Sequence, residues 1–226
     1  MEIEDVPTLF SRLRCAAAAE WQAYTCHRFV AGIANGSLPE AAFRHYLGQD
    51  YLFLIHFARA YALAAYKATD LADIRQAAKG LSVIVDMEMD LHVQFCRGWG
   101  LTEADMSALP EADETMAYTR YVLEKGLSGD LLDLHVALAP CILGYGEIGA
   151  RLVADPATRR NGNPYAAWID MYASEGYQEV VRAEISQLDR LMALRGGPGR
   201  FDGLVVTFRQ ATRLEAAFWQ MGLNVA

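Results

Sequence analysis

The stretch "GSLPEAAFRHYLGQDYLFLIHFARA", residues 36–60, decides the fold. Side chains three, four and seven positions apart share one face of a helix. Here Phe43, Tyr46, Leu47, Phe53, Leu54 and Phe57 line such a face, with Asp50 at its centre. An apolar stripe of this length predicts a helix over 38–67. Ser37 reads as its capping residue, Pro39 lies in its first turn, and Glu40 closes a capping box.

The same period runs through the rest of the chain. Alternating period-two strands do not occur, and Ala, Leu, Glu, Arg and Met are abundant. Helices are predicted over 7–34 (broken near Tyr24–Thr25), 38–67, 70–99, 111–126, 130–154, 163–194 and 198–222. A short helix starts at Thr102 and is ended by Pro110, and Gly129 separates two others. The clearest loops are "DPATRRNGNP" (155–164) and "RGGPGRFDG" (195–203), neither long enough to link domains. The expectation is an all-α, single-domain helical bundle over 1–226 with seven or more helices.

Bulk properties exclude several function classes. The 226 residues are 53% hydrophobic and 21% charged, which suits a well-buried globular protein. Net charge is −8 and no cluster of five or more basic residues occurs, which argues against nucleic acid or an anionic membrane as partner. The acidic start "MEIEDVPTLF" has no apolar signal region, and the longest apolar runs are interrupted by charge, so neither export nor a bilayer span is expected. Cys15, Cys26, Cys96 and Cys141 are scattered with no C-x-x-C. Free thiols in a reducing cytoplasm are the simplest reading.

Polar residues stand inside apolar stripes at several places. Cys141, in "LAPCILGYGEIGARL" (138–152), shares a face with Leu134, Ala137, Leu138, Tyr145, Ile148 and Leu152, and Pro140 beside it should bend the helix. Glu215 lies among Phe208, Ala211, Thr212, Phe218, Trp219 and Gly222. A carboxylate in such surroundings is costly unless partnered. Each acid, taken singly, is explained by capping a helix or pairing with a buried Arg. Taken together, two acids and a thiol with aromatic rings around them predict a polar pocket inside the bundle, suited to a flat, hydrogen-bonding ligand. Glu88 shares a face with Leu81, Ile84, Val85, Leu91, His92, Phe95 and Trp99. Glu88 and His92 then read as a buried structural pair, with a metal pair as the sharper alternative. The residue three positions before each histidine is Tyr24, Ala42, Phe53, Met89 or Leu132, so no Glu-x-x-His exists and a di-iron centre is disfavoured. Any one histidine would serve a haem, so that signal is weak. Tyr118, Tyr145 and Tyr172 are by themselves more often core than site. No G-x-S-x-G, P-loop or dinucleotide fingerprint occurs, and "GYGEIG" lies within a helix.

These residues resemble a known family. The chain is similar to TenA-type proteins, the thiaminase II or aminopyrimidine aminohydrolase family, over nearly its whole length. Besides the stretches at 36–60 and 138–152, the resemblance rests on "MEMDLHVQF" (87–95), "YTRYVLEKGLSGD" (118–130), "YAAWIDMYASEGY" (165–177) and "RLEAAFWQMGL" (213–223), in that order and spacing. It implies a haem-oxygenase-like helical fold without haem or other cofactor, assembled as a homotetramer, with a dimer as the alternative. It implies hydrolysis of thiamin or of 4-amino-5-aminomethyl-2-methylpyrimidine to hydroxymethylpyrimidine, in thiamin salvage. Carried over residue by residue, Cys141 matches the nucleophile of the Cys type and Glu215 the catalytic glutamate. Asp50 matches the aspartate that reads the aminopyrimidine edge, Tyr145 and Tyr172 match pocket tyrosines, and Tyr118 matches a tyrosine supporting the glutamate. Glu88 and His92 match a buried pair. One position departs: where the family usually has a tyrosine three residues after the aspartate, this chain has Phe53, whose ring can stack but carries no hydroxyl. That change bears on catalytic efficiency and leaving-group preference. It also keeps open a second reading, a non-catalytic pyrimidine- or thiamin-binding or regulatory protein on the same fold. A third, a cofactor-handling relative, lacks its Glu-x-x-His.

Overall fold

A long, apolar helix lies at the centre of the molecule. The computed structural model describes residues 7–225, and all regular structure among them is helical. The elements are α1 (Leu9–Ala16), α2 (Ala18–Thr25), α3 (Arg28–Asn35), α4 (Glu40–Lys67), α5 (Leu71–Val83), a π-helical turn (Ile84–Glu88), α6 (Met89–Gly98), α7 (Glu103–Ser107), α8 (Asp113–Ser128), α9 (Leu131–Ala154), α10 (Ala166–Ala173), α11 (Glu175–Arg195) and α12 (Arg200–Leu223). Helix α9 packs against α8, α10, α11 and α12, and α4 packs against α5, α6, α8 and α12. By length and composition α9 is apolar enough to cross a membrane, but 78% of that stretch is buried inside the bundle. Its hydrophobicity is therefore used on neighbouring helices, as expected of a helix apolar on all sides.

Glycines let the helices close on α9. A Cβ at Gly144 would fall inside the Tyr24 ring, and one at Gly149 would lie 2.6 Å from the Tyr172 carbonyl carbon. The Gly-rich "GYGEIG" is thus a packing surface, as its helical placement implied. Pro140 sits within α9, which runs through it, and the Tyr24 hydroxyl donates to the Pro140 carbonyl at 3.4 Å. Asp130 caps α9 with Asp133 reciprocating, the arrangement that satisfies the free N–H groups of the first turn.

Several expected boundaries shift, each for a local reason. Ser37 does not cap α4. Its backbone N–H and that of Leu38 bond the Gly32 carbonyl at 3.0 and 3.1 Å, closing α3 behind Gly36 in the left-handed region (φ 74°). Pro39 stands at the N-cap of α4 without a side-chain cap, so the expected capping box with Glu40 is not formed. The segment 7–34 breaks at Ala17 as well as after Thr25, and 163–194 breaks at Ser174, whose hydroxyl accepts the Tyr177 N–H at 3.3 Å and starts α11.

The π-helical turn between α5 and α6 matters most. A π turn inserts one extra residue and rotates the face that follows. Val85, assigned by ordinary helical spacing to the face of Glu88, is 50% exposed, while Ile84 and Glu88 are buried. Glu88 and His92 are buried, as their stripe implied.

Two buried polar links tie the outer helices down away from the centre. His135 Nδ1 on α9 lies 2.8 Å from Glu184 on α11. Asp73 on α5 pairs with Arg190 on α11 and accepts from Gln187 Nε2 at 3.0 Å.

Candidate active site

Seven elements aim polar side chains at one buried centre. Helix α4 brings Asp50, and its Oδ2 takes both protein donors. The Tyr46 hydroxyl, one turn earlier, donates at 2.9 Å, and His92 Nε2, from α6, lies at 2.7 Å. Among the described residues both donors reach Oδ2 and none reaches Oδ1. His92 Nδ1 lies 2.6 Å from the Glu88 backbone carbonyl. A carbonyl only accepts, so Nδ1 carries hydrogen, and Nε2 must share a proton with Asp50. Burial is the largest influence on His92 and opposes the imidazolium. The hydrogen bond and charge of Asp50, with help from Glu88, outweigh it, and its pKa is raised above the usual value.

Tyr46 is the hub of the aromatic wall. Its only proton goes to Asp50, so its oxygen accepts from Trp168 Nε1 and from the Tyr145 hydroxyl, each at 3.3 Å. The Tyr145 ring in turn lies 4.7 Å from that of Tyr172 and 5.2 Å from that of Trp219. These contacts order Tyr145 and Tyr172 around the space beside Asp50.

Helix α9 presents Cys141 and α12 presents Glu215. The thiol and the carboxyl adjoin, close enough for each to perturb the other's ionisation. Burial, then the charges of Glu215, Glu88 and Asp50, push the Cys141 thiol well above its ordinary pKa. Left alone it is a protonated thiol, a poor nucleophile. Glu215 is raised from 4.5 to about 8, chiefly by burial, although the Tyr118 hydroxyl opposes the shift by donating to Oε1 at 2.8 Å. A carboxyl with that pKa can accept and return a proton near neutrality. Glu88, at the end of the π turn, is raised to about 7, first by burial and then by the charge of Asp50. Its side chain receives the Tyr172 hydroxyl at 3.4 Å.

All seven residues proposed from the sequence converge on this centre. Phe53 is buried, its ring 4.9 Å from Tyr118 and 5.7 Å from Phe218, so it supports the glutamate's partner by packing alone. Tyr51 lies on another face of α4, and its hydroxyl meets Ser107 at 3.3 Å. None of the three acids pairs with a buried Arg or caps a helix. The expected Glu88–His92 side-chain pair is replaced by a bond from the ring to the Glu88 carbonyl, and the ring's other nitrogen reaches Asp50. Sequence reasoning passed over Tyr46, Trp168 and Trp219 as site groups. Tyr46 left a signal, being a hydroxyl one turn from a buried acid. Among the described residues no group of three or more His, Cys, Asp and Glu side chains is placed to hold a metal ion.

Comparison with known proteins places this arrangement. The family model described as TENA/THI-4/PQQC matches residues 15–225. A protein from Silicibacter sp. TM1040, named a TenA family transcription regulator, has a crystal structure that aligns with TM-score 0.90 at 45% identity, covering 97% of this chain and 98% of that one. A protein of Halalkalibacterium halodurans, named aminopyrimidine aminohydrolase, is 36% identical over 90% of each chain. A Shewanella denitrificans domain described as having a heme oxygenase-like fold aligns with TM-score 0.73 at 15% identity, covering 95% and 92%, and so speaks to the fold alone. With a haem-oxygenase-like bundle and a match to nearly its whole length, the chain belongs to the TENA/THI-4/PQQC family.

Proposed function

We propose that the protein is an aminopyrimidine aminohydrolase of thiamin salvage, converting 4-amino-5-aminomethyl-2-methylpyrimidine to its hydroxymethyl counterpart. The observation that carries this reading is the meeting, in one buried centre, of the Cys141 thiol with a carboxyl of pKa about 8 and of Asp50 with both donors on Oδ2. The name of the Halalkalibacterium relative supports it.

In this reading the aminopyrimidine lies among Tyr46, Tyr145 and Tyr172, with its protonated edge on Asp50 Oδ1. Ionised Glu215 takes the Cys141 proton as the sulfur adds to a ring carbon, and the added electron pair neutralises the ring. Those electrons then expel the amino group from the exocyclic methylene, and Glu215 hands its proton to the departing nitrogen, which leaves as ammonia. Water adds to the methylene carbon and gives a proton to Glu215. The ring expels the sulfur, which recovers that proton. One glutamate serves three times because burial places its pKa near the working pH. Tyr118 holds its carboxyl toward the thiol. Exposed apolar side chains such as Tyr66 and Leu127 are surface that the expected homotetramer or dimer would cover.

The test is release of ammonia and hydroxymethylpyrimidine by wild type and Cys141→Ala in parallel. Loss of about a thousandfold or more in kcat is expected for the variant. Full turnover by Cys141→Ala rules out the nucleophile. The second reading, a pyrimidine-binding or regulatory protein, is favoured by Phe53 alone, and binding by wild type without turnover would select it.

A further inference from the structure

Glu88 is a buried acid that nothing in the proposed chemistry uses. Its surroundings are unusual for a buried carboxyl. Residual exposure is only 8%, yet among the described residues a single hydrogen-bond donor reaches the carboxyl, the Tyr172 hydroxyl at a long 3.4 Å. Asp50 by contrast has two donors within 2.9 Å, and Glu215 has Tyr118 at 2.8 Å beside the thiol. His92, four residues on, does not partner the carboxyl: its Nδ1 is turned to the Glu88 backbone carbonyl and its Nε2 to Asp50. Among the described residues no Arg or Lys is paired with Glu88. A carboxyl with one long donor and a trace of exposure keeps acceptor capacity that a ligand's N–H groups can fill.

Its position says which part of a ligand that would be. Glu88 Oε2 takes the hydroxyl of the pocket residue Tyr172, and the Glu88 backbone carbonyl holds the His92 ring that contacts Asp50, so Glu88 adjoins the ring-reading side of the site; its charge also helps push the Cys141 thiol up. In a 4-aminopyrimidine the substituted carbon lies between the amino-bearing carbon read by Asp50 and the ring carbon open to the thiol. The group on the exocyclic methylene therefore projects into the space flanked by these residues. Glu88 ends a π-helical turn, and such turns recur at functional sites.

We infer that Glu88 is a specificity residue that accepts hydrogen bonds from the amino group on the exocyclic methylene of the aminopyrimidine. The inference rests on the functional reading above and adds the recognition of the leaving group to it. A carboxylate there complements an amine N–H directly, and complements it better as Glu215 delivers a proton and positive charge grows on the nitrogen. Thus Glu88 separates amine-bearing pyrimidines from those with an apolar group at that position.

The experiment is calorimetric binding of two probes, 4-amino-5-aminomethyl-2-methylpyrimidine and 4-amino-2,5-dimethylpyrimidine, to wild type and Glu88→Gln, each in a Cys141→Ala background that binds the amine without hydrolysing it. Gln keeps the size and an acceptor for Tyr172 but not the charge. Wild type is expected to prefer the amine by about tenfold or more, the scale of a charge-assisted hydrogen bond. In Glu88→Gln the amine should lose most of that preference, while the dimethyl probe stays within about twofold, showing the ring site intact. Equal weakening of both probes, or of neither, overturns the inference and leaves the hydrolase reading standing. Should Glu88→Gln not fold, the wild-type preference decides alone, and its absence overturns the inference. Wild type that binds neither probe refutes the functional reading, and this inference with it.

Discussion

Replacing Glu215 with Gln should abolish turnover and stabilise the protein, by an amount that grows with pH. The carboxyl is raised from 4.5 to about 8 by burial. Between those values the folded state holds a proton that the unfolded chain releases, so stability is lost as pH rises from 4.5 toward 8 and is flat above. At about 1.4 kcal/mol per pH unit, the loss from this group is below about 1 kcal/mol at pH 5 and reaches about 4–5 kcal/mol by pH 9. Gln cannot ionise, keeps the acceptor for the Tyr118 hydroxyl, and fills the same space. Glu88 titrates in the same range, so the comparison must be a difference between variant and wild type. Urea unfolding of both at pH 5, 7 and 9 provides it. The stability difference, Glu215→Gln minus wild type, should increase by about 4 kcal/mol from pH 5 to pH 9, most of it before pH 8. A difference that stays constant across pH would refute the argument that burial holds this acid protonated. Loss of stability at pH 9 would mean that the ionised carboxylate is favourably bound in the fold.

Three further outcomes follow from the geometry. Because Glu215 must be ionised to take the thiol proton, kcat/KM for the aminomethyl substrate should climb with pH along a limb centred near 8; a flat profile between pH 6 and 9 would exclude that role. Gly144→Ala drives a methyl group into the Tyr24 ring in the middle of α9 and should cost about 1–3 kcal/mol, read as a fall in the urea midpoint; an unchanged midpoint would show that Tyr24 yields freely. Glu184→Ala strips the buried His135 of its partner and should cost about 3 kcal/mol, whereas the double replacement Glu184→Leu with His135→Phe should recover most of it; a double variant as unstable as the single one would contradict the penalty of an unpaired buried group.

The sequence by itself determined the helical architecture and the acids at its heart. Asp50, Cys141 and Glu215 were legible because helical periodicity is local: each is the polar exception in a stripe computed from residues at most seven positions away. The same arithmetic failed at Val85, because a π turn changes the period and leaves no mark in residue type. It also placed Ser37 at the start of α4, when the backbone there is committed to ending α3. Only the tertiary structure decided the partners. His92 belongs to Asp50, 42 positions away, and Tyr118 to Glu215, 97 positions away. Nothing in either local stripe selects those pairings, which depend on how whole helices cross. The raised pKa of Glu215 and the poorly satisfied carboxyl of Glu88 were likewise decided there. Desolvation and the count of donors within reach are sums over every neighbour in space, and a one-dimensional pattern lists only the neighbours along the chain.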